Sequence, residues 1–307
     1  MLLSWCEPNH LAPLSNRKKR MTSPVPGPRS ELEALARRPE PEMDLARGAL
    51  LIAKEEYPQL SVDQYIGRLD QLAEKVRDRL DDETAPLVVM GELIETLYQD
   101  EHFRGNRDAY YDPRNSFLND VLDRGLGIPL TLGVILLEVG WRLDLPLEGV
   151  NFPNHFLVRF QGDAINLLID PFDGGRLRFE DQAQDLLDQA FGGTVRMREA
   201  FLGAASRYQM LVRMLTNLKS LYLNAQDNKR ALAAVERLLL LAPATVPEVR
   251  DRGILLARLG RREEAVEELQ RYLDHAPAAT DADRIRVVVR KLRAGETPGG
   301  VLEDRDG

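Results

Sequence analysis

Residues 127–175 read GIPLTLGVILLEVGWRLDLPLEGVNFPNHFLVRFQGDAINLLIDPFDGG, and this stretch decides the fold. Its first part, Pro129 to Leu143, is apolar on nearly every side, so it reads as a helix buried on most sides. Pro129 suits the first helical turn, where its missing N–H is not needed. Two strands follow, His155–Phe160 and Ile165–Asp170, joined by the turn Gln161-Gly-Asp-Ala164. If that hairpin is symmetric about residues 161–164, Phe160 faces Ile165 and His155 faces Asp170. Directly opposed residues have Cβ atoms about 4.5–5.5 Å apart, close enough for an imidazole and a carboxylate to hydrogen-bond. That pair is either a cross-strand structural contact or the base and orienter of a triad, in which the carboxylate fixes the histidine tautomer.

Outward from this core, residues 31–104 read as packing helices. Leu45, Ala49, Leu50, Ile52 and Ala53 recur at helical spacing, and Tyr57-Pro58 breaks that helix. Tyr65, Leu69, Leu72 and Val76 share the face of a second helix that starts at Ser61-Val-Asp, and a third runs from Pro86 through Leu97. Residues 105–126 are polar and turn-rich. The last third repeats with a period of 34: Ala231 falls on Ala265, Leu232 on Val266, Tyr222 on Leu256 and Pro243 on Pro277. Each unit reads as two helices closed by a proline, which resembles the tetratricopeptide repeat. Two units with a capping helix at 281–293 form a short array that leans on the preceding domain, because each unit must bury its face on a neighbour. The expected division is a tail at 1–30, a core domain at 31–200 (helical part 31–104, core 105–200), repeats and cap at 205–295, and a tail at 296–307.

The 307 residues are 44% hydrophobic and carry a net charge of −8, which is globular composition and argues against a dedicated nucleic-acid binder. The basic run Arg17-Lys-Lys-Arg20 belongs to a proline-rich stretch and reads as a solvated tail rather than a nucleic-acid contact. Met1, Met21 and Met43 are each possible starts. One cysteine, Cys6, excludes an intramolecular disulfide and a cysteine-based zinc cluster. The four histidines, at 10, 102, 155 and 275, lack ligand spacing, so neither metal nor cofactor is expected. The apolar run of about ten residues from Leu130 is short of the roughly eighteen that span a membrane. Neither a membrane span nor a signal peptide is expected, and the location expected is the cytoplasm.

A family resemblance rests on four blocks: PRNSFLNDVL at 113–122, GIPLTL at 127–132, EGVNFPNHFLV at 148–158 and IDPFDGG at 169–175. Together with the repeats they resemble the bacterial SirB-type family over roughly residues 45–290. The fold this implies is α+β: a helical N-terminal part, a papain-like (transglutaminase-like) core with a small antiparallel sheet, then an α-helical repeat array. In that superfamily a cysteine starts the buried helix, a histidine sits on one strand and an aspartate, often before proline, on the next. His155 and Asp170-Pro171 match. Counting back from Leu143-Asp-Leu-Pro146 by the superfamily's spacing lands on Pro129, so the resemblance implies a dyad without its thiol. One departure is Asn154, where the family more often has glycine before the histidine.

Candidate groove residues are therefore Asn115, Asn119, Arg124, Thr131, His155 and Asp170, with Pro129 at the nucleophile position. Asn115 and Asn119 share a face if their segment is helical, and either contact a ligand or pin the loop. Thr131 and Ser116 offer hydroxyls, but a hydroxyl is activated only by a base within reach. Two functions remain open. One is a pseudoenzyme that binds a protein or peptide partner through the repeats and the groove, with no nucleic acid and no membrane among its partners. The other is a hydrolase or amidase of altered chemistry, using His155 and Asp170 with water or a hydroxyl.

Overall fold

A computed structural model describes residues 27–80, 83–162 and 165–296. The basic run at 17–20, Cys6 and most of both expected tails lie outside the described residues. Helix α1 (Pro28–Ala36) begins inside the stretch expected to be tail. It is followed by α2 (Leu45–Lys54), α3 (Val62–Leu80) and α4 (Pro86–Glu95), whose last turn widens into a π-helical one over Thr96–Asp100. Asp44 caps α2 by accepting from the Arg47 N–H, and the proline of Tyr57-Pro58 separates α2 from α3.

Strand β1 (Arg104–Gly105) pairs in parallel with β2 (Leu126–Gly127), and between them lie a 3₁₀ turn at Pro113–Ser116 and helix α5 (Leu118–Arg124). Helix α6 (Pro129–Arg142) is buried at every position from Pro129 to Gly140. The sheet is built from β3 (Leu147–Val150), β4 (Leu157–Gln161), β5 (Asn166–Asp170), β6 (Arg176–Arg178) and, after α7 (Ala183–Phe191), β7 (Ala204–Ala205). Its order is β6-β5-β4-β3-β7, with every pairing antiparallel. Both faces are covered. Phe156, Val158, Phe160, Leu167 and Ile169 belong to the main core with α6, while Leu157 and Leu168 pack with Ala183 and Leu187 of α7.

The fold class is the one expected, but the hairpin register is not. Val158 pairs with Ile169 and Gln161 with Asn166, and the Gly162 N–H donates to the Ile165 carbonyl at 3.0 Å, so pairing extends one residue beyond Phe160. The register is displaced by two residues, which sets Leu157 rather than His155 opposite Asp170. His155 itself lies in the bend before β4, not in the strand. An even displacement leaves every side chain on its own face, so His155 and Asp170 become diagonal neighbours instead of direct ones.

The repeats form α8 (Arg207–Asn224), α9 (Asn228–Leu241), α10 (Val246–Arg258), α11 (Arg262–His275) and the capping α12 (Ala282–Arg293). Repeat-equivalent Ala231 and Ala265 are both fully buried, and α9 and α11 each end two residues before their prolines. The array shares one continuous hydrophobic core with the preceding domain, from Leu32 to Leu292. A Cβ on Gly48 of α2 would lie 2.6 Å from the Leu211 side chain of α8, so these two helices approach too closely for a larger residue. Buried Arg237 donates to the Ile52 carbonyl at 2.8 Å, and Arg230 pairs with Glu56 at 2.6 Å.

Candidate functional site

Asp170 ends β5 and caps the short turn Pro171–Asp173. Its Oδ1 accepts the N–H groups of Phe172 and Asp173, both at 3.1 Å, and the proline at the first turn position needs no partner. This is the local reason for an Asp-Pro pair. The same Oδ1 lies 2.9 Å from His155 Nε2. A carboxylate already accepting two N–H bonds acts as acceptor again, so Nε2 carries a proton, and in the neutral ring Nδ1 then holds the lone pair. Among the described residues Nδ1 has no hydrogen-bond partner. The Asp170 side chain is 4% exposed and that of His155 18%. Burial pushes the Asp170 carboxyl up, but the hydrogen bond and charge of His155 and the two backbone N–H groups outweigh it and hold it below the usual 3.8.

The histidine is placed by its neighbours. Asn154 adopts φ +56°, the left-handed region where glycine is free of strain and asparagine is the best-tolerated substitute. The turn closes when the His155 N–H donates to the Phe152 carbonyl at 3.0 Å. Next in sequence, the Phe156 ring sits where a Cβ on Gly133 of α6 would be 2.5 Å away and one on Gly149 of β3 2.7 Å away. Phe172 meets the imidazole edge-on, with centroids 6.3 Å apart, and also touches Tyr110 and carries Arg107 over its face.

His155 opens into a pocket of ≈ 180 Å³ between the core and α8. Ile128, Pro129 and Leu130 form one wall at the start of α6, Tyr110, Tyr111 and Ser116 another, and a stripe of α8 that includes Arg213 and Asn217 closes it. Pro129 and His155 therefore line the same cavity. Thr131 does not: its hydroxyl donates to the Asn115 carbonyl at 2.7 Å and accepts the Ile128 N–H at 3.2 Å, closing the helix start. Ser116 does line the pocket, and its buried Oγ has no partner.

Asn115, Asn119 and Arg124 lie outside the lining. Asn115 is fully buried and spends its amide on the Ala109 and Tyr110 carbonyls, while its Oδ1 accepts from Asn106 and Arg124. It pins the loop that carries Tyr110. The condition for Asn115 and Asn119 to share a helical face is not met, because the extended Phe117, at φ −98° and ψ 123°, lies between them. Arg213 and Asn217 were not legible as site residues, because the stretch from 205 onward read only as repeat helices. The adjacent tyrosines of an otherwise polar loop were the one visible signal of the opposite wall.

Among the described residues, no three His, Cys, Asp or Glu side chains come together as a metal site, and no helix is long and apolar enough to cross a membrane.

The comparisons with known proteins agree with this architecture. The transglutaminase-like superfamily matches residues 63–216, and the tetratricopeptide repeat matches residues 218–290. A UPF0162 protein of Xylella fastidiosa strain 9a5c is 38% identical over 247 residues, covering 80% of this chain and 88% of the relative. One from Vibrio cholerae is 28% identical over 251 residues, 81% of this chain and 93% of its own. The UPF0162 protein YchA of Escherichia coli K12 is 28% identical over 248 residues, with 78% and 88% covered. No solved structure matches.

Proposed function

This chain belongs to the transglutaminase-like superfamily and to the UPF0162 proteins of bacteria, with tetratricopeptide repeats after the core, and we propose that it binds a protein or peptide partner instead of turning over a substrate. One observation carries the proposal. Pro129 occupies the first position of α6 and lines the same pocket as His155, where the superfamily resemblance sets a cysteine. A thiol there would be activated by the helix dipole and the free N–H groups of the first turn. Proline supplies neither thiol nor proton. The nearest helix-start hydroxyl, Thr131, is committed to the backbone. The dyad then serves recognition: Asp170 fixes the ring of His155, which lines the pocket, and in the neutral ring Nδ1 is left as an acceptor for a donor on the partner. The array supports the same reading, since stacked repeats present an extended surface to a partner. The cytoplasmic location, the domain limits and the lack of nucleic-acid and membrane partners expected from the sequence remain part of this proposal.

A second reading rests on Ser116, whose unpartnered hydroxyl lines the pocket with His155. If the two come within hydrogen-bond reach, the site is a serine hydrolase of unusual order. Mass spectrometry of a peptide-amide panel incubated with the intact protein is expected to return every peptide at its starting mass. A hydrolysis product that disappears in His155→Ala, Asp170→Asn and Ser116→Ala, each still folded by circular dichroism, contradicts the binding proposal and establishes the second reading.

A further inference from the structure

The pocket holds a cation that no acid side chain neutralises. Arg213 projects from α8, donating Nη2 to the His155 carbonyl at 2.7 Å and Nη1 to Asn151 Oδ1 at 3.0 Å. Among the described residues no carboxylate lies within ion-pair distance of it. The contrast with the rest of α8 is direct: Lys219, two turns on, is held by Glu248 at 2.8 Å and Asp251 at 2.6 Å. A guanidinium has five N–H donors, so two neutral acceptors leave donors unused. Burial pushes the Arg213 pKa down, as expected for a charge drawn from water without a counter-ion.

The surroundings also favour an anion. No aspartate or glutamate lines the pocket, although the protein as a whole carries −8. Asn217, one turn from Arg213, and Ser220 add neutral polar groups on the same stripe of α8. The opposite wall is the N-terminus of α6, a helix of 14 residues; Pro129 has no N–H, and the Leu130 and Thr131 N–H groups precede the first intrahelical bond, from Leu132 to Ile128. The buried, unpartnered Ser116 hydroxyl is a further group without a partner of its own.

We propose that this pocket takes a carboxylate of a peptide, received by Arg213 and Asn217 against the start of α6. The inference rests on the binding reading above and names the group bound. Size argues for an end or a side chain, not a whole free ligand: ≈ 180 Å³ is below the ~300 Å³ at which pockets enclose a small molecule. The rest of the peptide then lies outside, on Tyr111, which is 76% exposed at the rim and packs edge-on against Tyr110. A single guanidinium within an acidic protein suits a monoanion better than a phosphate dianion. The carboxylate belongs either to the peptide's terminal residue or to an internal Asp or Glu, and the test separates them.

The full-length protein is titrated with Ac-Ala-Ala-Phe bearing a free carboxylate, with its C-terminal amide, with Ac-Ala-Glu-Phe-amide and with inorganic phosphate, following the imidazole resonances of His155 by NMR. At least one carboxylate peptide is expected to bind saturably, about tenfold or more tightly than the uncharged amide, the margin a charge-assisted bond provides. Preference for the first peptide assigns a terminal carboxylate, and preference for the third an internal acid. Because Arg213→Gln also disturbs the His155 carbonyl, Asn217→Asp is the second variant: it is isosteric and sets an internal carboxylate one turn from Arg213. Both variants are expected to abolish the preference for carboxylate over amide, with the melting temperature of Asn217→Asp unchanged or raised. Equal binding of acid and amide, no binding of any peptide, tighter binding of phosphate, or an unchanged preference in Asn217→Asp overturns the carboxylate site. A peptide product dependent on His155 overturns the binding reading instead, so the two failures are distinguishable.

Discussion

His155 and Asp170 show how much chemistry a strand pair reveals before its register is known. The contact was legible because a two-residue slip preserves faces, and the carboxylate still reaches the ring at 2.9 Å. The register itself was not legible, since the turn around 161–164 has no geometry that only one pairing satisfies. The roles of Asn115 and Thr131 were hidden for a different reason. Buried polar side chains serve whichever backbone groups the fold leaves unpaired, and only the fold says which those are. Asp170 offers a test by pH. Its folded pKa lies below 3.8, so the stability it contributes is present above that value and is lost as pH falls through the lower folded value. Asp170→Asn is therefore expected to cost about 2 kcal/mol at pH 7, the scale of a hydrogen bond to a buried charge. The deficit should shrink as pH falls below 3.8 and through the lower folded value, where the carboxyl becomes neutral like the amide. Urea denaturation at pH values descending from 7 through this range checks it, and a deficit that never changes with pH contradicts the charge-based account.

At the scale of elements, α6 was the most legible part of the sequence, because an apolar pattern on all sides admits only a buried helix. What the pattern did not show is how closely the helix lies on the sheet. Gly133 faces the Phe156 ring across a gap that a Cβ would reduce to 2.5 Å. Gly133→Ala is expected to cost about 1–3 kcal/mol by overpacking. It also pushes Phe156, and with it the adjacent His155, away from Asp170. Denaturation measures the first effect and the His155 NMR titration curve the second. A variant of unchanged stability would show that the helix is free to shift. The repeats were legible from their period alone, but that their first helix lines the pocket was not, because periodicity does not say what a helix packs against. The pocket's cationic wall therefore comes from a segment that periodicity assigns to another domain.

At the scale of the whole molecule, two sequence units share one interior. The expectation that the short array leans on its neighbour is met by the continuous core and by Arg237 bonding to the Ile52 carbonyl. The intact protein should then melt in a single cooperative transition by calorimetry, despite a length at which independent domains are common. Two resolved transitions would contradict the shared core. For the same reason, removal of residues 205–307 should expose the face of α2 that α8 covers and leave an aggregating fragment, as light scattering would show. A protein joined this firmly holds its pocket between the units, with the dyad on one side and Arg213 on the other. The central claim is that the dyad is intact and lacks only its nucleophile. Pro129→Cys in a Cys6→Ser background tests it most directly, through the pH profile of iodoacetamide alkylation. The account predicts an introduced thiol whose apparent pKa lies well below the ordinary ~8.5 and returns towards it in His155→Ala. A thiol that titrates near 8.5 with or without His155 would contradict the account.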